Sequence, residues 1–216
     1  MDMNNSRQNE AWAGSFGQEY TYRNALSLEE LESLYKELYG ISRLKLNLEF
    51  LGNVDRNIKV LEVGSNIGNQ LLCLQKLGFE KLCGIELQSL AVELSKRRTK
   101  GIDIIRGSAF DLPFRDLYFD MVFTSGLLIH ISPEAVNGVL DEIFRCTRQY
   151  IWGLEYYSET YTEVIYRGHS GLLWKTDFPK LFLSRFPDLR LVKEQYLKYL
   201  NEDNIDVMYL LEKSNR

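Results

Sequence analysis

The stretch Asn57-Ile58-Lys59-Val60-Leu61-Glu62-Val63-Gly64-Ser65-Asn66-Ile67-Gly68-Asn69 decides the fold of this chain. Ile58 to Val63 is β-branched and leucine-rich, apolar apart from Lys59 and Glu62, which suits a mostly buried parallel strand. Gly64 and Gly68 bracket a tight turn, and Asn69 to Leu77 reads as a helix with Gly78 just past its end. A strand that turns through glycines into a helix gathers backbone N–H groups and a positive dipole end at one point, where a nucleotide-like ligand is held. The turn is not the dinucleotide fingerprint, because Asn66 stands where G-x-G-x-x-G requires its second glycine. That glycine lets the backbone approach a pyrophosphate. Its absence, with Glu62 two residues before Gly64, fits a ligand without phosphate and with a cationic amino-acid end.

The segment Glu62-Val63-Gly64-Ser65-Asn66-Ile67-Gly68 resembles motif I of the class I S-adenosylmethionine (SAM)-dependent methyltransferases. The rest of the chain carries the same strand-helix alternation. Lys81 to Leu87 reads as the second strand, with Glu86 at its end, 18 residues beyond Gly68. An acidic side chain there accepts hydrogen bonds from ribose hydroxyls. Ser89 to Arg98 is the next helix, and its basic end is read as balancing the helix dipole. Ile102 to Arg106 is the third strand. The following Gly107-Ser108-Ala109-Phe110 resembles the methyltransferase segment that meets adenine, with Ser108 where many members carry aspartate. Phe119 to Thr124 is the fourth strand. Ser132 and Pro133 read as N-cap and N1 of a helix whose buried stripe is Val136, Val139, Leu140, Ile143 and Phe144. Gln149 to Glu155 is a fifth strand, Asp177 to Phe186 a helix, and Leu189 to Tyr196 with Ile205 to Leu211 a closing antiparallel pair.

The expected fold is therefore α/β: a Rossmann-like class I methyltransferase with a mostly parallel seven-stranded sheet flanked by helices and an N-terminal helical extension. Residues 1–10 are expected to be disordered, 11–56 to form a helical cap or lid, and 57–216 to form the SAM-binding domain with an insertion around 156–175. In the extension, Ser27 and Glu30 form a capping box for a helix to Leu38, and a second helix runs through Leu51 after a break near Gly40. Ahead of it, Trp12, Phe16 and Tyr20 either cover a bound cofactor or cap the open end of the core. Arg23 among these aromatics suits a carboxylate.

Composition bounds the function. The 216 residues are 45% apolar and 26% charged, with a formal charge of −4, which gives no general pull toward a polyanion. No apolar run approaches the roughly 20 residues of a membrane span. Met1 to Glu10 lacks the apolar core of a signal peptide. Cys73, Cys83 and Cys146 show neither metal nor disulfide spacing, so a reduced, cytoplasmic, metal-independent protein is expected.

A narrower resemblance spans nearly the whole chain. Trp12, Phe16-Gly17, Tyr20 and Arg23-Asn24, the segment Glu62 to Gln70, Leu128-Ile129-His130-Ile131, Glu155-Tyr156-Tyr157 and Tyr166-Arg167-Gly168-His169 are similar to the pseudaminic acid biosynthesis-associated methylases. The resemblance implies SAM as cofactor and makes a carboxylated or nucleotide-linked sugar the first acceptor to consider. Cofactor contacts are expected from Arg23, Glu62, Gly64, Ser65, Asn66, Gly68, Asn69, Glu86, Leu87, Ser108, Ala109, Phe110 and Ser125. Tyr20, Tyr156, Tyr157, Tyr166 and Arg167 are candidates for the acceptor. His130, His169 and Glu155 are candidates for proton transfer and orientation, while His130 read blandly only supports its loop. Two other readings stay open: a non-catalytic SAM-binding module, and an NAD-dependent oxidoreductase, against which Asn66 counts. A nucleic-acid methyltransferase is opposed by the acidic balance and by the absence of an N/D-P-P-Y/F segment. A small-molecule acceptor is expected, with neither nucleic acid nor membrane as partner.

Overall fold

In the computed structural model, residues 3–214 are described, with side chains described from residue 8 onward. Four helices precede the first strand: α1 (Met3–Ala13), α2 (Ser15–Arg23), α3 (Leu28–Tyr39) and α4 (Arg43–Leu51). There follow β1 (Lys59–Val63), α5 (Asn69–Lys76), β2 (Lys81–Glu86), α6 (Ser89–Arg98), β3 (Asp103–Arg106) and β4 (Phe119–Ser125). A single 3-10 turn (Leu128–His130) leads to α7 (Val136–Cys146), β5 (Thr147–Tyr156) and the two-residue strands β6 (Thr162–Glu163) and β7 (Trp174–Lys175). The chain closes with α8 (Phe178–Arg185), β8 (Leu189–Lys198) and β9 (Ile205–Lys213).

Seven strands form one sheet in the order β3-β2-β1-β4-β5-β9-β8. β1 pairs in parallel with β2 and β4, and β4 with β5, whereas β9 runs antiparallel to β5 and to β8. Strand order reverses between β1 and β4, so the carboxyl ends of these strands open a crevice at the switch point. The central strands are buried on both faces, and the edge strands β3 and β8 are largely exposed. Val60, Leu82, Met121, Trp152 and Leu210 pack under the N-terminal helices with Leu46, Phe50 and Leu71. Their neighbours in the strands, Leu61, Val122, Ile151 and Leu211, point the other way against Val139, Ile143, Phe178 and Phe182. This period-two division of apolar runs is what a parallel sheet covered by helices requires.

Local signals place the helix ends. Ser27 and Glu30 form the expected capping box, with the Ser27 amide donating to Glu30 at 2.7 Å and the Glu30 amide to Ser27 Oγ at 3.2 Å. Gly40 ends α3 in the left-handed conformation, at φ +73°. Asp177 caps α8 by accepting from the Lys180 amide at 3.0 Å. Ser132 does not cap α7 directly. It opens a separate turn, accepting from the Ala135 and Val136 amides, and α7 starts four residues later with Val136, Val139, Leu140 and Ile143 of the expected stripe buried and Phe144 only partly so, stacked on Phe186.

The N-terminus departs from expectation. Residues 3–10, expected to be disordered, are helical; residues 1 and 2 lie outside the described residues. Few apolar residues mark α1, and tertiary bonds secure it. Gln88 Nε2 donates to the Ala13 and Gly14 carbonyls at 2.9 and 3.0 Å, satisfying the end of the helix. Gln8 donates to the His130 carbonyl at 2.5 Å and accepts from the Ser132 amide at 3.4 Å.

Candidate active site

The glycine turn after β1 is built from three left-handed residues, Gly64 (φ +75°), Asn66 (φ +47°) and Gly68 (φ +83°). A Cβ on Gly64 would stand 2.7 Å from Leu127 Cδ1, and one on Gly68 would stand 2.8 Å from Ile104 Cδ1. The loops after β4 and the strand β3 therefore close directly on the turn, and only glycine combines this conformation with that approach. Glu86, at the end of β2, braces the turn from the side. Its carboxylate accepts from the Asn66 amide at 2.8 Å and from the Gln88 amide at 2.7 Å.

Behind these residues lies a cavity of about 470 Å³ along the carboxyl edge of the sheet. Of the residues expected at the cofactor, Arg23, Glu62, Gly64, Ser65, Asn66, Asn69, Glu86, Leu87, Ser108, Ala109, Phe110 and Ser125 all line it. Gly68 shapes the turn from outside the lining. Several lining atoms are buried without a hydrogen-bond partner: Trp12 Nε1, Arg23 Nη2, Glu62 Oε2, Ser65 Oγ, Asn66 Oδ1 and Gln70 Oε1. Native proteins rarely strand buried polar atoms in such number, so a polar ligand fits here. The donor set is specific. Glu62 offers a carboxylate oxygen and Arg23 a guanidinium nitrogen, the complement of a zwitterionic amino acid. Burial drives the Glu62 carboxyl well above its ordinary range, with Arg43 opposing the shift. An ammonium brought beside it would favour the ionised form.

α1 and α2 cover this space. Trp12 packs 4.2 Å from the His130 ring and meets Phe16 and Tyr20 edge-on at 5.1 and 5.3 Å. The segment is anchored at its far end too. Asn69 Nδ2 donates to the Asn24 carbonyl at 2.9 Å, and Arg98 donates to Asn69 Oδ1 at 3.0 Å and to the Leu26 carbonyl. Arg98 thus ties the cover to the glycine turn, beyond the dipole-balancing role read from its position in α6.

The proton-transfer candidates separate. His130 lines the cavity; its Nδ1 lies 2.8 Å from the Leu172 carbonyl, which requires the N–H on Nδ1 and leaves Nε2 an acceptor. Burial lowers its pKa to about 4, so the ring is neutral at pH 7. His169 is exposed and outside the cavity lining, with its ring 5.5 Å from Phe16. Glu155 is fully buried and also outside the lining, accepting from the Leu127 and Ile129 amides at 3.2 and 3.3 Å. Its carboxyl, lifted by burial to about 7, holds the 3-10 turn from beneath and does not face the cavity. Of the acceptor candidates, Tyr20, Tyr156, Tyr166 and Arg167 line the cavity. Tyr157 turns away and packs edge-on against Tyr196 at 4.7 Å.

Residues without a clear sequence signal complete the wall. Gln8 enters on α1, and Gln88, the residue before α6, enters where it holds the end of α1. Asp206 enters because β9 pairs with β5 in the register that sets it opposite Tyr156, and Tyr39 at the end of α3 and Tyr199 just after β8 bond to its carboxylate there. In the sequence, Asp206 reads as the polar entry to an apolar strand.

The neutral state of His130 has a measurable consequence. The unfolded chain takes up a proton near pH 6.5 and the folded one only near 4, so this stabilisation is complete above 6.5 and is lost as pH falls toward 4. Its full size is about 3 kcal/mol. Asp206 and Glu155 titrate in the same window with the opposite sign, because their folded pKa values are raised. Urea unfolding of wild type and His130→Gln at several pH values isolates the histidine. The stability gap is expected to narrow from pH 7.5 to 4.5, and a constant gap would show that the folded ring titrates normally.

A seven-stranded sheet with a reversed last hairpin and a cavity at the switch edge defines a Rossmann-like class I methyltransferase fold. Residues 61–150 match the methyltransferase domain family. A comparison with curated proteins found no significant match. Among solved structures, the PH0226 protein from Pyrococcus horikoshii OT3 is similar over 91% of this chain and 99% of its own, at 17% identity and a TM-score of 0.67. A protein solved in complex with the Haloferax volcanii Trm112 methyltransferase activator is similar over 96% of this chain and 98% of its own, at 15% identity and a TM-score of 0.69. The Burkholderia thailandensis 1,6-didemethyltoxoflavin-N1-methyltransferase, solved with 1,6-didemethyltoxoflavin and S-adenosylhomocysteine, is similar over 97% of this chain and 88% of its own, at 14% identity and a TM-score of 0.67. The matched segment and the fold support a SAM-dependent methyltransferase, and the cavity residues fit SAM. No helix among the described residues is long and apolar enough to cross a membrane.

Proposed function

We propose that this protein transfers the methyl group of SAM to an oxygen or nitrogen of a small polar acceptor, with a nonulosonic acid or nucleotide-linked sugar the first class to test. What supports the reading most is one continuous cavity that holds both an amino-acid and ribose complement and a separate polar wall. The resemblance to the pseudaminic acid-associated methylases and the placement of Arg167 at the cavity favour an acceptor with an anionic group.

When bound, SAM supplies a methyl group already activated by its sulfonium, so the protein's work is alignment and exclusion of water. Glu62 holds the ammonium and Arg23 the carboxylate of the amino-acid end. Glu86 accepts from the ribose hydroxyls, and Leu87, Ser108, Ala109 and Phe110 enclose the adenine. Trp12 and Gln8, drawn over the edge by α1, shut out solvent. His130 accepts the acceptor proton at Nε2, its tautomer held by the Leu172 carbonyl. A neutral imidazole is competent for this at pH 7, although its low pKa makes it a weak base.

Isothermal titration with SAM, S-adenosylhomocysteine and NAD in parallel tests the cofactor assignment, followed by methyl-labelled SAM with acidic sugars as acceptors. Binding of the first two and not NAD is expected. Binding of NAD alone overturns the reading, and SAM binding without turnover on any acceptor favours a non-catalytic module.

A further inference from the structure

Where β9 meets the cavity, a buried carboxylate is ringed by phenols. Asp206 Oδ2 accepts from Tyr39 at 2.6 Å and from Tyr199 at 3.4 Å, while Oδ1 accepts from Asn204 Nδ2 at 3.1 Å. The rings stand edge to face or tilted in a chain, Tyr35 to Tyr39 at 5.4 Å, Tyr39 to Tyr199 at 5.1 Å and Tyr199 to Tyr156 at 6.4 Å. All four tyrosines and Asp206 line the cavity, together with Leu34 and Leu38 from α3.

Nothing in the cofactor assignment uses this cluster. Asp206 lies on β9, three strand spacings from β1, or about 14 Å. The carboxylates assigned to the ammonium and the ribose, Glu62 and Glu86, sit on β1 and β2, and Arg23 ends α2. Nor does the core need the cluster. Lys175, whose charge acts on Asp206, bonds Asn204 rather than the carboxylate, so among the described residues Asp206 is desolvated without a direct ion pair, an arrangement that costs stability. Burial lifts its carboxyl to about 7, against the pull of Tyr39, Tyr199, Lys175 and Asn204. Because Tyr39 donates its own proton to Asp206, its oxygen is left to accept from a ligand. Flat apolar ring faces and leucines beside a carboxylate and phenolic oxygens match a molecule with C–H faces and a rim of hydroxyls.

We propose that this part of the cavity is the acceptor subsite and that it takes a hydroxyl-rich ring, with Asp206 and Tyr39 accepting from ring hydroxyls other than the one that is methylated. The proposal rests on the methyltransferase reading and narrows its acceptor. An acceptor without hydroxyls would face the Asp206 carboxylate and the Tyr39 oxygen without donating to their remaining lone pairs, whereas Arg167, elsewhere on the wall, can meet an acidic group.

The test uses full-length protein saturated with S-adenosylhomocysteine and carrying [13Cζ]-labelled tyrosine, titrated with glucuronic acid and, separately, with propionic acid. Tyr39, Tyr156 and Tyr199 resonances are assigned through their phenylalanine variants. Glucuronic acid is expected to shift these three resonances saturably and propionic acid to leave them in place. Asp206→Asn and Tyr39→Phe are each expected to weaken the sugar at least tenfold while S-adenosylhomocysteine affinity stays within twofold. The proposal is overturned if glucuronic acid leaves the three resonances unmoved, if propionic acid moves them equally, or if Asp206→Asn binds the sugar as wild type does. Failure of wild-type protein to bind S-adenosylhomocysteine would instead remove the cofactor assignment beneath it.

Discussion

Replacing Glu86 with glutamine is expected to weaken SAM and S-adenosylhomocysteine binding about 100-fold, the equivalent of about 2.7 kcal/mol. Two losses combine. The carboxylate oxygens accept from the Asn66 and Gln88 amides at 2.8 and 2.7 Å, and an amide side chain would turn an NH2 group toward one of these donors. The turn would then reopen on the side where the cofactor's ribose is assigned. Hydrogen bonds to a charged group are worth about 1.5–3 kcal/mol each, so losing one to the ribose and distorting the turn accounts for the whole effect. Isothermal titration reads it directly. An affinity within threefold of wild type would show that Glu86 serves the turn alone and meets no ligand.

Gly17→Ala is expected to act on the same binding from the opposite wall. A Cβ on Gly17 would stand 1.8 Å from the Trp12 carbonyl oxygen and 2.8 Å from its carbon, so α1 and α2 cannot keep their present approach. Backbone atoms offer no rotamer to yield, and relief requires α1 to move off. With it would go the Gln8 bonds to the His130 carbonyl and the Ser132 amide, and the Trp12 ring over His130. Cofactor affinity is expected to fall about 10–30-fold, on the order of 1.4–2 kcal/mol. The sheet and its two apolar layers do not involve Gly17, so the melting temperature should drop by only a few degrees. Hydrogen exchange should rise in residues 3–13 and little elsewhere. Unchanged affinity with α1 exposed to exchange would show that α1 covers the cavity without closing it on a ligand.

Both predictions depend on features that stood at different distances from the sequence. The glycine turn, Glu86 and the five parallel strands were legible because each is local. Apolar β-branched runs, helix caps and glycine spacing act between residues a few positions apart. The wall proposed for the cofactor followed from them, since the carboxyl ends of β1, β2 and β3 bring Glu62, Glu86 and Ser108 to one edge once the strands pair in parallel. Three candidates carried similar local signals and were placed elsewhere. Glu155 ends a strand at the right edge, yet the amides of Leu127 and Ile129 draw its carboxylate beneath the loop. Tyr157, two residues further on, alternates to the opposite side from Tyr156 and packs on Tyr196. His169 lies on an exposed turn, bonded backbone to backbone with Tyr166, and misses the cavity that Tyr166 lines.

The sequence by itself determined the layered α/β architecture and the glycine turn after β1, because hydrophobic period and turn chemistry are properties of neighbouring residues. Only the tertiary structure decided what covers that turn and what lies across from it. α1 has little helical signal of its own and is held by Gln8 and Gln88 reaching to residues far along the chain. Asp206 reaches the cavity through the antiparallel register of β9 on β5, which sets it opposite Tyr156, 50 positions earlier in the chain. Such contacts depend on which surfaces remain to be buried after the sheet has formed.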